Sequence, residues 1–303
     1  MKRFISFGFF LIFVGLVILR QEDLITIVNT YILPNKSFVS IESTNEYYRN
    51  VDYQFVQITD EYSPHSFNDI INLYYTVINA GQASFTFYCP RDYDKCLRDV
   101  QIIANDQSLL SDINNYIHPF NGFSHIETQY DTLGRVTISM VKSYRQEEIK
   151  MINDKIDELL PQITNGIYDT KEQIRAIHDY IINNTKYDSL RSDFNQLNYK
   201  SDTAYGPLFE GYALCGGYTD LMALFLERLN IKNFKVSSEK HVWNAVYLDD
   251  KWYHLDLTWD DPVSMDGSDY LTYDYFLVTT QDLLEHEKTQ HNFNQDRYPE
   301  LLK

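Results

Sequence analysis

The sequence predicts an α+β fold in which an amphipathic helix packs on an antiparallel β-hairpin. The helix is predicted by apolar side chains that recur at helical spacing after Cys215. The hairpin is predicted by two alternating runs on either side of Asp249 and Asp250, a pair that suits a tight turn. Shorter helical and strand patterns in the N-terminal half favour a second, smaller α+β domain.

The composition is that of a folded, acidic protein. Its 303 residues suffice for a sizeable core, and 44% of them are apolar. Lys and Arg number 26 against 43 Asp and Glu, which gives a formal charge of −17. Such a surface repels phosphate backbones, so the charge argues against nucleic acid as a partner. We predict an N-terminal anchor and linker over residues 1–33, the small domain over 34–150 and the larger domain over 151–303.

The N-terminus carries a hydrophobic segment flanked by charge. Lys2 and Arg3 precede an uncharged stretch over residues 4–19, which is slightly shorter than the roughly 20 residues that cross a bilayer. No A-x-A-like cleavage site follows, so we favour an uncleaved signal anchor over a cleaved signal peptide or a buried helix. Because the basic residues come first, the N-terminus is expected in the cytoplasm. The predicted location is membrane-anchored and extracytoplasmic, with a secreted protein as the alternative.

The small domain is predicted from five patterns. Apolar residues at helical spacing predict a helix that ends at Gly81, and a second, longer helix follows. Three alternating runs predict strands, the last two of which flank a turn that contains Gly134. The predicted helices cover residues 67–80 and 97–117, and the predicted strands cover residues 84–89, 125–130 and 135–142.

Two helices are predicted between this domain and the cysteine. Residues 146–160 form a charged amphipathic pattern, and residues 170–184 form a better-marked one that Thr170 can cap. His178 falls on the apolar stripe of the second helix. A histidine there is more often packed and hydrogen-bonded than catalytic, so we predict a structural role for it.

Cys215 is the main candidate for chemistry. A Gly-containing loop leads into it, and it falls in the first turn of the predicted amphipathic helix. A helix N-terminus carries partial positive charge and free N–H groups, which favour a thiolate and can hold an oxyanion. Gly216 and Gly217 are expected to let a substrate approach the backbone closely. Alone, Cys215 is equally consistent with a buried structural cysteine.

The predicted hairpin, over residues 241–248 and 251–259, supplies the partners. Pairing Leu248 with Lys251 across a two-residue turn places His241 and Asp256 on one face as diagonal neighbours. That separation, roughly 7 Å between backbones, is within side-chain reach. Asp256 can then orient the imidazole of His241, whose other nitrogen faces Cys215.

Other residues on the hairpin remain open to more than one interpretation. Asp260 shares the face of Asp256 and is the second choice as the partner of His241, while His254 is expected to be a neighbour only. The side chains of Trp243, Trp252 and Trp259 are expected to line the core or the cleft wall. Asn244 is expected to point to the opposite face.

The local strings around these residues resemble the transglutaminase-like superfamily, and in particular its bacterial branch similar to cytokinesis-type domains. They are the G-Y-x-x-C-G-G-Y approach to Cys215, H-V-W-N at His241, and W-Y-H-L-D-L-T-W-D-D-P through Asp256. The tail with Tyr275-Phe276-Leu277 and His286 is similar to the same branch. The resemblance covers about residues 170 to 290 and implies a papain-like catalytic core, with the catalytic helix packed on an antiparallel sheet.

The resemblance also implies roles. Cys215 would be the nucleophile, His241 the base and Asp256 the orienting acid of a thioester acyl-enzyme mechanism. Tyr205, Gly216 and Trp243 would help to line the oxyanion site or the cleft. Where many family members carry a bulkier or acidic residue after the cysteine, this chain has glycine, which puts the pocket shape in doubt.

We therefore expect a membrane-anchored cysteine enzyme that acts on amide bonds of peptides or proteins, as a transglutaminase or as a protease or amidase. The alternatives are a catalytically silent binding module of the same fold and a structural cell-surface protein. The partners expected are a peptide or protein substrate and, through the N-terminal helix, the membrane. The sequence contains no paired ligands at metal-like spacing, and we expect no metal and no cofactor.

The two remaining cysteines, Cys89 and Cys96, lie close in sequence. Outside the cytoplasm they can form a disulfide, since a strand end and a helix start permit the geometry without demanding it. Cys215 is then the odd cysteine, which is a reason to test it as a reactive thiol.

Overall fold

The computed structural model of the protein describes residues 40–41, 43–262, 270–287 and 289–303. The predicted anchor over residues 1–33 lies outside them. Within the described ranges, no helix is both long and apolar enough to cross a membrane. Residues 41–303 form one compact unit, so the boundary between predicted domains at residue 150 stays a prediction.

The described residues of the N-terminal part include three α-helices and a three-stranded sheet. Helix α1 begins after Ser66, whose hydroxyl accepts a 3.1 Å hydrogen bond from the N–H of Asp69. The strands pair antiparallel in the order β1-β3-β2. The elements are α1 Phe67–Asn79, β1 Ser84–Tyr88, α2 Cys96–Asn105, α3 Gln107–Asn115, β2 Phe123–Tyr130 and β3 Arg135–Lys142.

The single helix predicted over residues 97–117 is wrong, because the chain breaks at Asp106. The backbone of Asp106 leaves the helical region at φ −91° and ψ 88°. Its carboxylate accepts from the N–H of Leu109 at 2.9 Å and so caps a second helix. An Asp within an apolar periodic run can serve as a cap, and here that local bond outweighs continuity of the helix.

The C-terminal part begins with two long helices and continues into the site. Helix α5 is capped by Asp169, which accepts from the N–H of Glu172 at 3.0 Å, so the prediction that Thr170 caps it is wrong. The elements are α4 Gln146–Ile163, α5 Thr170–Asn183, β4 Lys186–Tyr187, α6 Ser189–Phe194, β5 Tyr212–Ala213, α7 Cys215–Arg228, β6 Asn233–Ser237, β7 Val242–Leu248, β8 Lys251–Leu255, α8 Leu257–Asp260 and α9 Thr280–His286.

Helix α7 packs on the antiparallel sheet β6-β7-β8, as the predicted core requires. Its Tyr218, Leu221, Met222 and Phe225 side chains are buried. Burying such side chains stabilises the fold by about 1.5–3 kcal/mol each. The sheet and the helix together fix the position of the first turn of α7.

The predicted hairpin register is confirmed. Leu248 pairs with Lys251, and the ladder runs to the pair Asn244 and Leu255. Asp249 and Asp250 both have positive φ, at 49° and 62°, as a two-residue type I′ turn requires. Strand β6 had no counterpart in the sequence prediction and forms the other edge of the sheet beside β7.

The N-terminal part is tied to the sheet of the C-terminal part. The guanidinium of Arg49 is nearly buried and forms a 2.5 Å ion pair with Glu227 at the end of α7. The ring of Tyr116 stacks on that of Phe234 in β6, with 4.8 Å between centroids. These contacts attach the N-terminal part to helix α7 and to strand β6.

Candidate active site

Cys215 is the first residue of helix α7 and is partly exposed to solvent. The N–H groups of Gly217 and Tyr218 donate to the carbonyl of Leu214, which closes the first turn. Among the cysteines of the described residues, Cys215 alone is not in a disulfide. The predicted placement of the thiol at a helix start is therefore confirmed.

Gly216 and Gly217 face the chain's own backbone. A Cβ atom on Gly217 would lie 2.3 Å from the carbonyl oxygen of Ser201, and one on Gly216 would lie 2.7 Å from that of Asp202. Both contacts are far closer than any side chain tolerates. The loop at Ser201 and Asp202 therefore requires glycine at both positions, and the prediction that the glycines let a substrate approach the backbone stays a prediction.

His241 immediately precedes strand β7 and is 6% exposed. Its carbonyl accepts a 2.9 Å hydrogen bond from the N–H of Ser238, which holds the start of the strand. Its Nε2 atom lies 2.5 Å from Oδ2 of Asp256. Cys215 also raises the pKa of this ring, and with Nε2 bonded to Asp256, Nδ1 is the nitrogen that remains for the thiol.

Asp256 follows strand β8 and caps a short helix. The predicted strand over residues 251–259 is wrong at its end, since β8 stops at Leu255 and α8 begins at Leu257. Oδ1 of Asp256 accepts from the N–H groups of Thr258 at 2.9 Å and Trp259 at 3.3 Å. These two bonds stabilise the helical turn, and they leave Oδ2 for His241.

The charges of this buried group are mutually dependent. Burial alone lowers the pKa of His241, but the Asp256 carboxylate and the contact with Cys215 raise it to about 10. Burial raises the pKa of Asp256, yet His241 and His291 together hold it well below its usual range. Asp256 is thus a carboxylate that favours the charged form of His241.

Sequence comparison identifies the domain that carries this arrangement. Residues 157–257, one third of the chain, match the profile of the transglutaminase-like superfamily. The match includes Cys215, His241 and Asp256. The chain contains a transglutaminase-like domain. No curated protein sequence significantly matches the chain.

Solved structures with limited similarity carry related descriptions. One is described as a TGase, at 16% identity over 45% of each chain with a TM-score of 0.34. Another is a proposed cysteine protease from Cytophaga hutchinsonii, at 16% identity over 48% of this chain and 65% of that one, with a TM-score of 0.29. The matched part thus spans less than two thirds of either structure.

Asp260, the second candidate as the partner of His241, is bonded to a different histidine. Oδ2 of Asp260 lies 3.2 Å from Nε2 of His178, and Nδ1 of that ring lies 2.9 Å from Asp179. Oδ1 of Asp260 accepts from the N–H of Tyr275 at 3.0 Å. His178 is fully buried, as a packed structural histidine is expected to be, so Asp256 and not Asp260 contacts His241.

Two residues predicted to line the oxyanion site or the cleft, Trp243 and Tyr205, have different surroundings. Trp243 is buried, stacks on His241 with 5.5 Å between centroids, and donates from Nε1 to Nδ1 of His254 at 2.8 Å. It is therefore a wall of the site. Tyr205 contacts Phe209 and the ammonium of Lys200, which lies 4.6 Å from its ring centre, and its proposed part in the oxyanion site stays a prediction.

His254 lies near the site, as expected, and the structure adds that it is neutral. Burial and the nearby His291 lower its pKa to about 3, so it accepts from Trp243 without charge of its own. Asn244 points away from the site and donates from Nδ2 to the carbonyl of Thr219 at 3.0 Å.

His291 is the residue that sequence reasoning missed. It is fully buried, and its Nε2 atom lies 2.9 Å from Oδ2 of Asp256, the atom that also bonds His241. It lies 35 residues beyond Asp256, in a segment with no regular pattern. The only available sign was a second histidine shortly after His286, in the tail that resembles the bacterial branch.

The donor atoms of His241, Asp256 and His291 lie within 4.8 Å of one another, close enough in principle to hold a metal ion. The two N–O separations, 2.5 and 2.9 Å, are those of direct hydrogen bonds with a proton between the atoms. A metal with ligand bonds of about 2.0–2.2 Å would force these atoms apart. The geometry therefore fits a hydrogen-bonded relay, and the expectation that no metal is required stays a prediction.

A cavity of about 500 Å³ lies beside the transglutaminase-like site. Trp259 and Glu287, both in contact with His291, line it. The remaining lining residues come from the loop before His241 and from the segment around His291, and they are Ser238, Glu239, Lys240, Thr289, Gln290 and Asn292.

Proposed function

We propose that the protein is a cysteine-dependent acyl transferase or hydrolase that acts on amide bonds of peptides or proteins. Cys215 would be the nucleophile, His241 the general base and Asp256 the residue that orients it. The observation that supports this most strongly is the 2.5 Å hydrogen bond from Nε2 of His241 to Asp256, beside a thiol that raises the pKa of the same ring. The transglutaminase-like profile over residues 157–257 supports the same class of chemistry.

The proposed reaction has two half-reactions. The sulfur of Cys215 attacks the amide carbonyl while its proton resides on His241, and the resulting oxyanion lies near the start of α7. Collapse of this intermediate breaks the C–N bond, and His241 gives its proton to the leaving amine. A thioester remains on Cys215.

The acceptor decides the second half-reaction. Water, deprotonated by His241, would release a carboxylic acid and regenerate the thiol. A primary amine would form a new amide in the same way. His241 acts first as base, then as acid, and again as base in both cases.

A thiolate–imidazolium pair is the chemical basis of this proposal. Cys215 stands at a helix start, where the backbone N–H groups favour negative charge, and the Asp256 carboxylate favours the charged form of His241. Buried neighbours such as Trp243 exclude water from the far side of the imidazole. A helix start and a charged imidazole are conditions that favour a nucleophilic cysteine.

We further propose that the enzyme acts outside the cytoplasm, anchored by the segment over residues 4–19. The supporting observation is that Cys89 and Cys96 form a disulfide, with 5.7 Å between their Cα atoms. Disulfides persist in oxidising compartments and are rare in the cytoplasm. Protease accessibility in intact cells, with carbonate extraction of membranes, tests both parts.

The test of activity combines a peptide library with a primary amine. Full-length protein is incubated with both, and products are identified by mass spectrometry. Hydrolysis and amine coupling change peptide mass differently, so the two acceptors separate directly. Cys215→Ala is the control and should give neither product.

A second measurement tests the nucleophile without a known substrate. The rate at which iodoacetamide alkylates Cys215 is measured across pH and compared with that of glutathione. We expect Cys215 to react faster at about pH 6, where an ordinary thiol is protonated. A rate no greater than that of glutathione, with no product from the library, would overturn the proposal in favour of a binding module.

A further inference from the structure

The hydrogen-bonded group at Cys215 extends beyond Asp256 to two residues that the proposed chemistry does not yet use. Nε2 of His291 lies 2.9 Å from Oδ2 of Asp256, and Nδ1 lies 3.3 Å from Oε2 of Glu287. A continuous chain of hydrogen bonds therefore runs from His241 through Asp256 and His291 to Glu287, and Cys215 interacts electrostatically with its first member. Its last member lines the cavity beside the site.

Both partners of His291 are carboxylates. Hydrogen bonds from Thr289 and from the N–H of Gln290 offset the burial of Glu287 and lower its pKa to about 2. An ionised carboxylate only accepts hydrogen bonds, so the 2.9 Å contact with Asp256 requires an N–H on Nε2 of His291. His291 thus bridges Asp256 and Glu287.

Aromatic rings hold His291 in place. The ring of Tyr275 stacks on it with 5.2 Å between centroids and 19° between planes. Trp243 meets it edge-on at 4.9 Å, and Trp259 lies at 5.5 Å. With both nitrogens bonded and its faces packed, the ring has no room to turn.

This arrangement completes the bonding of Asp256. Oδ1 accepts from the N–H groups of Thr258 and Trp259, and Oδ2 accepts from His241 and His291. Four donors in fixed positions define the orientation of the carboxylate. Without His291, the buried Oδ2 atom would be held by His241 alone. Asp256 would then depend on the same imidazole that it has to position.

We propose that His291 is a positioning residue, which with Glu287 fixes the carboxylate of Asp256 and through it the imidazole of His241. This role rests on the proposed function of Cys215. It requires His291 to donate from Nε2, and it requires no contact between His291 and substrate. The charged and titratable groups that face His291 are Asp256, Glu287, His241, His254 and Tyr275.

Four variants separate positioning from packing. His291→Phe keeps a ring among the aromatic neighbours and removes both ring nitrogens. His291→Gln retains an N–H donor near the position of Nε2, whereas the shorter His291→Asn cannot reach Asp256 with it. His178→Phe is the matched control, because His178 is also fully buried between two carboxylates, Asp179 and Asp260, and stacks on an aromatic ring.

The first readout is the pH profile of Cys215 alkylation in the full-length protein. We expect His291→Phe and His291→Asn to lower the rate at about pH 6.5 by about 10- to 100-fold, the cost of a misplaced catalytic group. His291→Gln should stay within about threefold of the wild type because it keeps the donor. His178→Phe should leave the profile unchanged. If His291→Phe does not fold by near-UV circular dichroism, the comparison of His291→Gln with His291→Asn decides.

The second readout does not require Cys215 to react. The proton between His241 and Asp256 is expected to give a low-field NMR signal in protein labelled with ¹⁵N-histidine. It should persist in His291→Gln and His178→Phe and be lost to exchange with water in His291→Phe and His291→Asn.

The two readouts distinguish the two proposals. An unreactive wild-type Cys215 together with this NMR pattern would overturn the proposed function and leave the positioning role standing. The positioning role would be overturned if the folded variants His291→Phe and His291→Asn alkylated Cys215 at the wild-type rate. It would also be overturned if their low-field signal were unchanged. An equal loss in His178→Phe would overturn it too, because the effect would then be one of packing.

Discussion

His241 and Asp256 meet through a 2.5 Å hydrogen bond although neither belongs to the strands that bring them together. Strand β7 begins one residue after His241, and β8 ends one residue before Asp256. The hairpin therefore delivers the two residues to the end of its ladder, where the backbone is free to turn. Both side chains can then point toward the start of helix α7.

The charge on Asp256 should be essential to the reactivity of Cys215. In Asp256→Asn the amide oxygen can still accept from Thr258 and Trp259, so the amide nitrogen would face His241 as a donor. His241 would then carry its proton on Nδ1 and could not take one from the thiol. We expect the alkylation rate at about pH 6 to fall by roughly 10²–10⁴-fold.

Asp260→Asn is the matched control for that variant. Asp260 is also a buried carboxylate bonded to a buried histidine, but its partner is His178. It should lower thermal stability without changing the pH profile of Cys215. An equal loss of reactivity in the two variants would contradict the assignment of Asp256.

Stability should fall on the alkaline side through His241. Its pKa is raised from 6.5 to about 10 in the folded protein, so the folded state binds this proton more tightly than the unfolded chain. The resulting stabilisation is complete below about pH 6.5 and is lost as pH rises toward 10. We expect the Tm of the wild type to decrease over this interval more steeply than that of His241→Gln, as measured by calorimetry. Parallel curves for the two proteins would contradict this.

The first turn of α7 should not tolerate a side chain at Gly217. Alanine favours helix by about 1 kcal/mol over glycine, but its Cβ would lie 2.3 Å from the carbonyl of Ser201, a backbone atom that cannot move aside cheaply. We expect Gly217→Ala to lower stability by about 1–3 kcal/mol or more and to slow alkylation of Cys215, because the loop or the turn must shift.

Gly122→Ala is the control for the steric effect. Its Cβ would meet its nearest neighbours at 3.2 Å, which requires a shift of only a few tenths of an ångström. Chemical denaturation should show a smaller loss for this variant and an unchanged alkylation rate. A stable, fully reactive Gly217→Ala would mean that the loop at Ser201 does not pack on the helix as described.

The disulfide should stabilise the fold independently of the site. Cys89 and Cys96 are separated by 7 positions, a short loop whose closure stabilises by about 2–3 kcal/mol in the chain-entropy treatment. Replacing both by Ser should lower the free energy of unfolding by about that amount and leave Cys215 alkylation unchanged. Thiol counting in denaturant should find one free thiol without reductant and three with it, of the 3 cysteines in the chain. Three free thiols without reductant would contradict the pairing.

Much of the arrangement around the thiol follows from short-range patterns. The apolar period after Cys215 defines α7 and places the thiol in its first turn. The two-residue turn at Asp249 and Asp250 determines the register of the hairpin, because a one-residue slip would turn every buried side chain to the other face. These features depend on neighbours within a few residues, and the sequence predicts them.

Other local features depended on whether a residue caps a new helix or continues the element before it. The periodicity of apolar residues does not decide between the two. Asp106 and Asp256 each lie within or at the end of an apolar run, and each uses its carboxylate to cap a helix. A capping bond can end one element and begin another. For this reason the helix predicted over 97–117 and the strand predicted over 251–259 end earlier than expected. The choice between capping and continuing is made by the surrounding packing.

The sequence by itself determined Cys215 at a helix start, the hairpin that carries His241, and the choice of Asp256 as its candidate partner. Only the tertiary structure decided that Ser201 fills the space beside Gly217 and that His291 completes the bonding of Asp256. The physical reason is the separation in sequence between the residues that make contact. Strand and helix periods record contacts between near neighbours, whereas His291 reaches Asp256 across 35 residues through packing against Tyr275 and Trp243.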